Sequence, residues 1–271
     1  AERYYKKSAD KGHVKSQYRL AYLYDEKNFN EDAIEYYLKA IDSNYTMAKF
    51  RLGNLYNRQN TIESAKLYYD LACNDSMVEA KNNFAGLYFE EKNYEKAIKY
   101  YEEAIVDGCK VALENLGDLY YQTKDYQKAI SYYLRNSTSV SCQKKLADIY
   151  MEAENTDEAI IWYKKASNNE DIESSYKLGL IYEDLNNLED AKKYYLLAAK
   201  KNHLNSKLHL GRIYYNEGNY EESKKMLDVC ANENNAYAQH MVGLIYENYY
   251  SDHTNAKYWY EKSKNQGLVE S

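Results

Sequence analysis

A small residue followed three places later by tyrosine recurs eight times along the chain: Ala21/Tyr24, Gly53/Tyr56, Ala85/Tyr88, Gly117/Tyr120, Ala147/Tyr150, Gly179/Tyr182, Gly211/Tyr214 and Gly243/Tyr246. The intervals between the small residues are 32, 32, 32, 30, 32, 32 and 32. A register this regular means stacked copies of one structural unit, each buried against its neighbours. Around every small residue the pattern is helical. Leu, Phe or Val precedes it, Leu or Ile follows two places on, and a second small residue (Ser16, Ala48, Ala80, Ala112, Cys142, Ser174, Ser206 or Ala238) stands five before. These offsets mark one buried helix face whose small side chains let neighbouring backbones approach. A second series begins twelve after the small residue, with Ala33, Ala65, Ala97, Ala129, Ala159 and Ala191, each followed four later by tyrosine. It predicts a second helix.

Between the two helices stand Asn93, Asp125, Asn155, Asn187 and Asn219, which are expected to cap the second helix by accepting from its first-turn amides. The predicted architecture is therefore all-α: a right-handed α/α superhelical solenoid of eight two-helix repeats of about 32 residues, preceded by a lone second helix over 1–10. One solenoid domain is expected to span 1–271, with an irregular junction near 136–141. There Asn136 replaces the late alanine and the chain loses two residues. A kink or greater mobility is expected at that junction. The seventh repeat substitutes Ser223, Leu227 and Cys230 for alanine, tyrosine and alanine, and the eighth gains one residue near Tyr250 to Asn255.

Composition limits function. With 36 basic and 42 acidic residues the net charge is -6, against nucleic-acid or anionic-membrane binding, and no apolar run suits membrane insertion. Cys73, Cys109, Cys142 and Cys230 lie dozens of residues apart and read as reduced core residues. His209 and His240 fall on adjacent first helices without a third ligand, so no metal site is expected. Neither a nucleophile with its base nor a glycine-rich phosphate loop is present, and the expectation is a non-enzyme without cofactor. The chain opens at Ala1 without methionine or leader-like segment, which leaves its compartment open with a cytoplasmic lean.

The spacing Leu52-Gly53, Tyr56, Ala65, Tyr69, Ala72 is similar to the tetratricopeptide signature. The paired aromatics Tyr36-Tyr37, Tyr68-Tyr69, Trp162-Tyr163 and Trp259-Tyr260, with the stretch Ala1 to Gly12, resemble Sel-one-like repeats. That resemblance implies a protein-interaction scaffold whose first helices line a concave groove. Offsets -6, -3, +1 and +4 from the small residue share one stripe opposite the core face. From this stripe and its neighbours the expected partner contacts are Phe50, Asn54, Asn82, Asn83, Phe89, Glu114, Asp118, Tyr121, Lys144, Tyr176, Arg212 and Tyr215. Aromatics beside amides suit an extended peptide. Asn54 and Asn83 resemble two amides of the family's carboxylate clamp. Its cations are missing, because Phe50, Val111 and Asn115 stand in their places, so a basic or mixed-polarity protein segment is the expected partner. The competing reading is a structural rod that self-associates through its convex face or through apolar ends at Tyr4, Tyr5 and Tyr258.

Overall fold

A computed structural model describes residues 2–267, and among them it contains seventeen α-helices and no strand. After α1 (Glu2–Ala9) come four helix pairs: α2 (Val14–Glu26) and α3 (Asn30–Asp42), α4 (Thr46–Arg58) and α5 (Ile62–Asn74), α6 (Val78–Glu90) and α7 (Tyr94–Val106), and α8 (Lys110–Gln122) with α9 (Tyr126–Arg135). Four more follow: α10 (Val140–Glu152) and α11 (Thr156–Asn168), α12 (Ile172–Asp184) and α13 (Leu188–Lys200), α14 (Leu204–Asn216) and α15 (Tyr220–Asn232), and α16 (Ala236–Asn248) with α17 (His253–Lys264). The described chain divides into two compact halves, 1–136 and 137–271.

The turns carry a finer period than the repeat. Residues with positive φ fall every 16 places from Gly12 to Lys124, resume at Glu154, and continue to Asn234, then Ser251 and Gly267. Each closes the helix before it. The Phe29 amide donates to the Tyr24 carbonyl at 2.9 Å and the Asn28 amide to Asp25 at 3.0 Å, a Schellman closure that recurs as Thr61 to Tyr56 and Asn93 to Tyr88. The residue after the left-handed one then stands at the N-cap of the next helix, and where it is Asn or Asp its side chain caps. Asn93, Asp125, Asn155, Asn187 and Asn219 all accept from the amide three places on, as their residue types predict. Three residues thus end one helix and begin the next, which keeps the period rigid.

The spacing fails twice, by one residue before α17 and more severely after α9. Helix α9 has 10 residues where the other second helices of complete pairs have 12 or 13, and no positive-φ residue follows it. Asn136 is buried where alanine stands in most repeats, and its Nδ2 donates to the Lys110 carbonyl at 3.3 Å. Cys230 and Ser263 occupy the same register and do likewise, toward Leu204 at 3.3 Å and Ala236 at 2.8 Å. A polar group in this alanine slot is tolerated because it finds a second-lone-pair acceptor in the first carbonyl of the paired helix. The extra residue of the last repeat lies at 249–252, before α17.

Inside most pairs the small residue meets the ring sixteen places on, and in the last pair Gly243 meets Tyr260. A Cβ added to Gly117 would lie 2.4 Å from Tyr133 Cε1, and one on Gly179 2.4 Å from Tyr195 Cδ1. Tyr37, Tyr69, Tyr133 and Tyr195 are among the largest fully buried side chains, and Leu227 takes their place against Gly211. The tyrosine at +3 stacks on the aromatic at +15: Tyr88 on Tyr100 at 5.7 Å, Tyr120 on Tyr132 at 5.5 Å, Tyr182 on Tyr194 at 5.6 Å. Of the cysteines, all free, Cys142 and Cys230 are buried, whereas Cys73 and Cys109 are only half-buried, which corrects the expectation of four core thiols. Burial still pushes the Cys73 thiol up to about 12, which disfavours the thiolate.

Candidate interaction surface on the first helices

Each buried tyrosine carries a hydroxyl to the edge of the core, and a hydroxyl there needs an acceptor. The first helix of the same pair supplies it, from the position just after the small residue or from the one a turn later. Asn54, Asp118 and Asp148 serve from +1, accepting from Tyr69 at 2.7 Å, Tyr133 at 2.6 Å and Tyr163 respectively. Asp25, Glu183 and Glu247 serve from +4, accepting from Tyr37 at 3.2 Å, Tyr195 at 2.8 Å and Tyr260 at 2.7 Å. In the third repeat Gly86 and Phe89 occupy both positions. These acceptors lie on the predicted contact stripe, so the partner-facing surface and the internal hydrogen bonding share residues.

In the half 1–136 the acceptors extend into a chain of amides. Asn83 Nδ2 donates to Asn54 Oδ1 at 2.9 Å, Asn82 Nδ2 to Asn83 Oδ1 at 3.2 Å, and Asn115 Nδ2 to Asn82 Oδ1 at 2.9 Å. This links α4, α6 and α8 through neutral groups. Phe50 lies against the Tyr69 ring at 6.2 Å beside them. Burial pushes the Tyr69 phenol up to about 12, partly offset by the amides around it.

In the half 137–271 the same steps are ionic. Lys177 Nζ lies 2.7 Å from Asp148 Oδ1, joining α12 to α10. Glu183 gathers three donors: Tyr195, His209 Nδ1 at 2.9 Å, and Arg212 Nη2. Tyr176 packs its ring near His209 at 5.9 Å and His203 at 4.7 Å. A cavity of about 270 Å³ opens beside this cluster, lined by Leu208, His209, Arg212 and Tyr237. Burial, then the Asp148 and Glu183 carboxylates, drive the Tyr163 and Tyr195 phenols above the ordinary tyrosine range.

All twelve predicted contact residues are partly exposed and none is core. Phe50, Asn54, Asn82 and Asn83 come together in the amide cluster. Tyr176 and Arg212 meet at His209. Phe89, Tyr121 and Tyr215 instead pair across their own turns, with Tyr94 at 6.0 Å, Tyr126 at 5.5 Å and Tyr220 at 5.3 Å. Lys144 reaches Asp171 at 3.2 Å, while Glu114 and Asp118 stand half-buried on α8. Asn115, Lys177 and His209 were not anticipated as members. Their signal is complementary polarity: each stands two before a small residue and faces a polar residue of the preceding first helix.

The two predicted histidines separate. His209 belongs to the Glu183 cluster, and His240 lies against the Tyr260 ring at 5.5 Å. Among the described residues no group of three or more His, Cys, Asp or Glu is placed to hold a metal ion, and no helix is long and apolar enough to cross a membrane.

Tetratricopeptide-repeat profiles match residues 18–82, 83–136, 145–168, 172–200 and 204–234, and Sel1-repeat profiles match 1–13 and 236–268. Among curated proteins no sequence matches significantly. The fold is similar to a protective antigen of uropathogenic Escherichia coli with an SLR fold, at TM-score 0.70 and 19% identity over 98% of this chain and 64% of that one. The chain thus spans 64% of that protein's length. It is also similar to a Sel1 repeat protein from Oxalobacter formigenes, at TM-score 0.66 and 18% identity over 98% and 88% of the two chains. A third likeness is to Pseudomonas aeruginosa pilF, at TM-score 0.56 and 22% identity over 79% and 96%. Helix pairs, signature spacing and matched profiles agree that this chain belongs to the tetratricopeptide-repeat family, with Sel1-type repeats at its two ends.

Proposed function

We propose that the chain is an interaction scaffold that holds an extended segment of a partner protein along the first-helix face, with the amide cluster of α4, α6 and α8 as its anchor. The observation that carries this reading is the run Asn54, Asn83, Asn82, Asn115. Each carboxamide offers two N–H groups and two lone-pair directions, and the internal chain uses only part of that capacity. The rest matches the alternating N–H and C=O of a peptide backbone. Phe50 beside the amides adds rigid contact area at little entropic cost. Repeat proteins of this family are in general protein-interaction modules without enzymatic activity, and the proposed role is the ordinary one for its fold.

The test is affinity capture from the native source with wild-type chain and with Asn54, Phe89, Tyr121 and Tyr176 jointly changed to alanine. Loss of the captured partner from a variant that keeps its helical circular dichroism is the expected result. Equal recovery of the same partner by both proteins would refute the assignment of this face.

A further inference from the structure

Two places before the small residue, a first helix reaches back toward the first helix that precedes it. Asn83 donates to Asn54 and Asn115 to Asn82, both at 2.9 Å, while Lys177 meets Asp148 at 2.7 Å and His209 meets Glu183 at 2.9 Å. Arg51 holds this register on α4 and finds no such group. Facing it from α2 is the Tyr22 ring, whose centroid lies 5.0 Å from the guanidinium carbon. Asp25, one turn along α2 from Tyr22, is taken by the Tyr37 hydroxyl and by Arg58. Arg51 Nε is buried without a hydrogen-bond partner, and among the described residues no carboxylate pairs with the guanidinium. Stacking on Tyr22 fixes the plane of the cation and seals its Nε edge from water, while the side chain as a whole is only half-buried and its Nη donors stay open. Part of the desolvation that an ion pair demands is thus complete before a ligand arrives.

We propose that Arg51 is a carboxylate-binding point of the first-helix face, where an internal Asp or Glu side chain of the held segment pairs with the open Nη edge. This rests on the reading of that face as a peptide groove, and it names a residue type that the segment must carry. Charge along the face agrees. At offsets -6, -3, -2, +1, +4 and +5 from the small residue, α4 carries Arg51 and Arg58 and no acid, whereas α6 and α8 carry Glu79, Glu90, Glu114 and Asp118 and no cation. A segment of mixed polarity therefore has one favoured direction, with its acid over α4 and any basic residue over α6 and α8. Arg51 and Asn54 stand three apart on one helix, about 5–6 Å between Cβ atoms, so the acid falls within about two residues of the backbone held by Asn54. The face continues over α2 beyond Arg51, which leaves room for the segment to run on. A side chain and not a chain end is thus the source of the carboxylate.

The probe is a positional-scanning library of short peptides, acetylated and C-terminally amidated so that side chains are their only carboxylates, bound to the full chain. The unsubstituted chain is expected to enrich Asp or Glu at one position. Replacing that acid by its amide in the tightest member should weaken binding about tenfold, the effect of one charge-assisted bond. Arg51→Gln is expected to remove both the enrichment and the tenfold difference while still binding the amide peptide as the unsubstituted chain does, which also shows that the variant is folded. Arg51→Lys, which keeps the charge and loses the planar fork, should restore part of the difference. Bound peptides without acid preference, or an acid preference that Arg51→Gln leaves intact, overturn the assignment of Arg51 and leave the groove reading standing. Acid-free peptides that bind only with a free C-terminal carboxylate, and lose binding in Arg51→Gln, overturn the side-chain source. If no peptide binds the unsubstituted chain, the groove reading itself fails and this inference falls with it.

Discussion

The amide cluster on α4, α6 and α8 and the ionic clusters of the half 137–271 solve one problem with different chemistry. Both bury a tyrosine against a small residue and must satisfy its hydroxyl at the first-helix face. Around α4, α6 and α8 this is done with neutral amides, where Asn54 accepts from Tyr69 and is joined by Asn83, Asn82 and Asn115, although Tyr37 and Tyr133 in the same half donate to the carboxylates of Asp25 and Asp118. The ionic clusters do so with carboxylates balanced by cations from the next first helix, Asp148 with Lys177 and Glu183 with His209 and Arg212. An amide has donors and acceptors to spare once the hydroxyl is satisfied. A carboxylate already neutralised by its neighbours has less to give a ligand. The backbone regularity of the two halves therefore conceals two surfaces with different capacity for a peptide.

The sharpest way to break this comparison is Glu183→Ala. It strips the acceptor from Tyr195, His209 and Arg212 together, and about 2–3 kcal/mol of stability should go with it. Chemical denaturation measures the loss, and hydrogen exchange should place it in α12 to α14. A cost below about 0.5 kcal/mol would show the ionic cluster to be ornamental. Asn54→Ala is the matched change in the other half and should cost less, about 1 kcal/mol, since neutral bonds are exchanged for bonds to water. An equal or larger cost for Asn54→Ala would erase the proposed difference.

Alkali separates the amide-bound tyrosine from the carboxylate-bound ones. A phenol whose folded pKa exceeds its unfolded value near 10 keeps the stability it contributes up to that pH, then loses it as the pH climbs toward the folded value. For Tyr69 that loss runs from about 10 to about 12, whereas Tyr163 and Tyr195, beside carboxylates, resist ionisation further. Difference absorbance on Tyr69→Phe and Tyr195→Phe should assign the earlier ionisation to Tyr69. The reverse order would contradict the carboxylate effect. The smallest expected effect is that of salt. Raising ionic strength from 0.05 to about 0.5 M should weaken partly exposed pairs such as Lys177–Asp148 by a few tenths of a kcal/mol, and leave the contribution of the Asn54, Asn83, Asn82 and Asn115 bonds unchanged, as read by the cost of Asn54→Ala at both salt concentrations.

Much of this was legible from residue order alone. The 32-residue recurrence, the buried face around each small residue, the Asn and Asp caps and the irregularity at Asn136 are local signals, repeated often enough to reinforce one another. The 16-residue period of left-handed turn residues was not legible. Its positions are filled by Asn, Ser, Lys, Glu or Gly, and the conformation there is imposed by the helix ends on both sides. The contact stripe was read correctly as partly exposed, yet its polar members were read as free for a partner when several are engaged within the fold.

Sequence by itself determined the helix pairs and, within each half, the order in which they stack, because each packing step involves residues within about one repeat of each other and recurs in register. Tertiary structure alone decided which polar residues on the first helices are spoken for. Whether Tyr195 finds Glu183 and Tyr163 finds Asp148 depends on the distance from a hydroxyl at the core edge to either of two helix positions a turn apart. Whether Asn83 or Lys177 joins them depends on the separation of side chains 29 residues distant in the chain. Such bonds are satisfied at fractions of an ångström, a scale that packing sets and residue type alone does not.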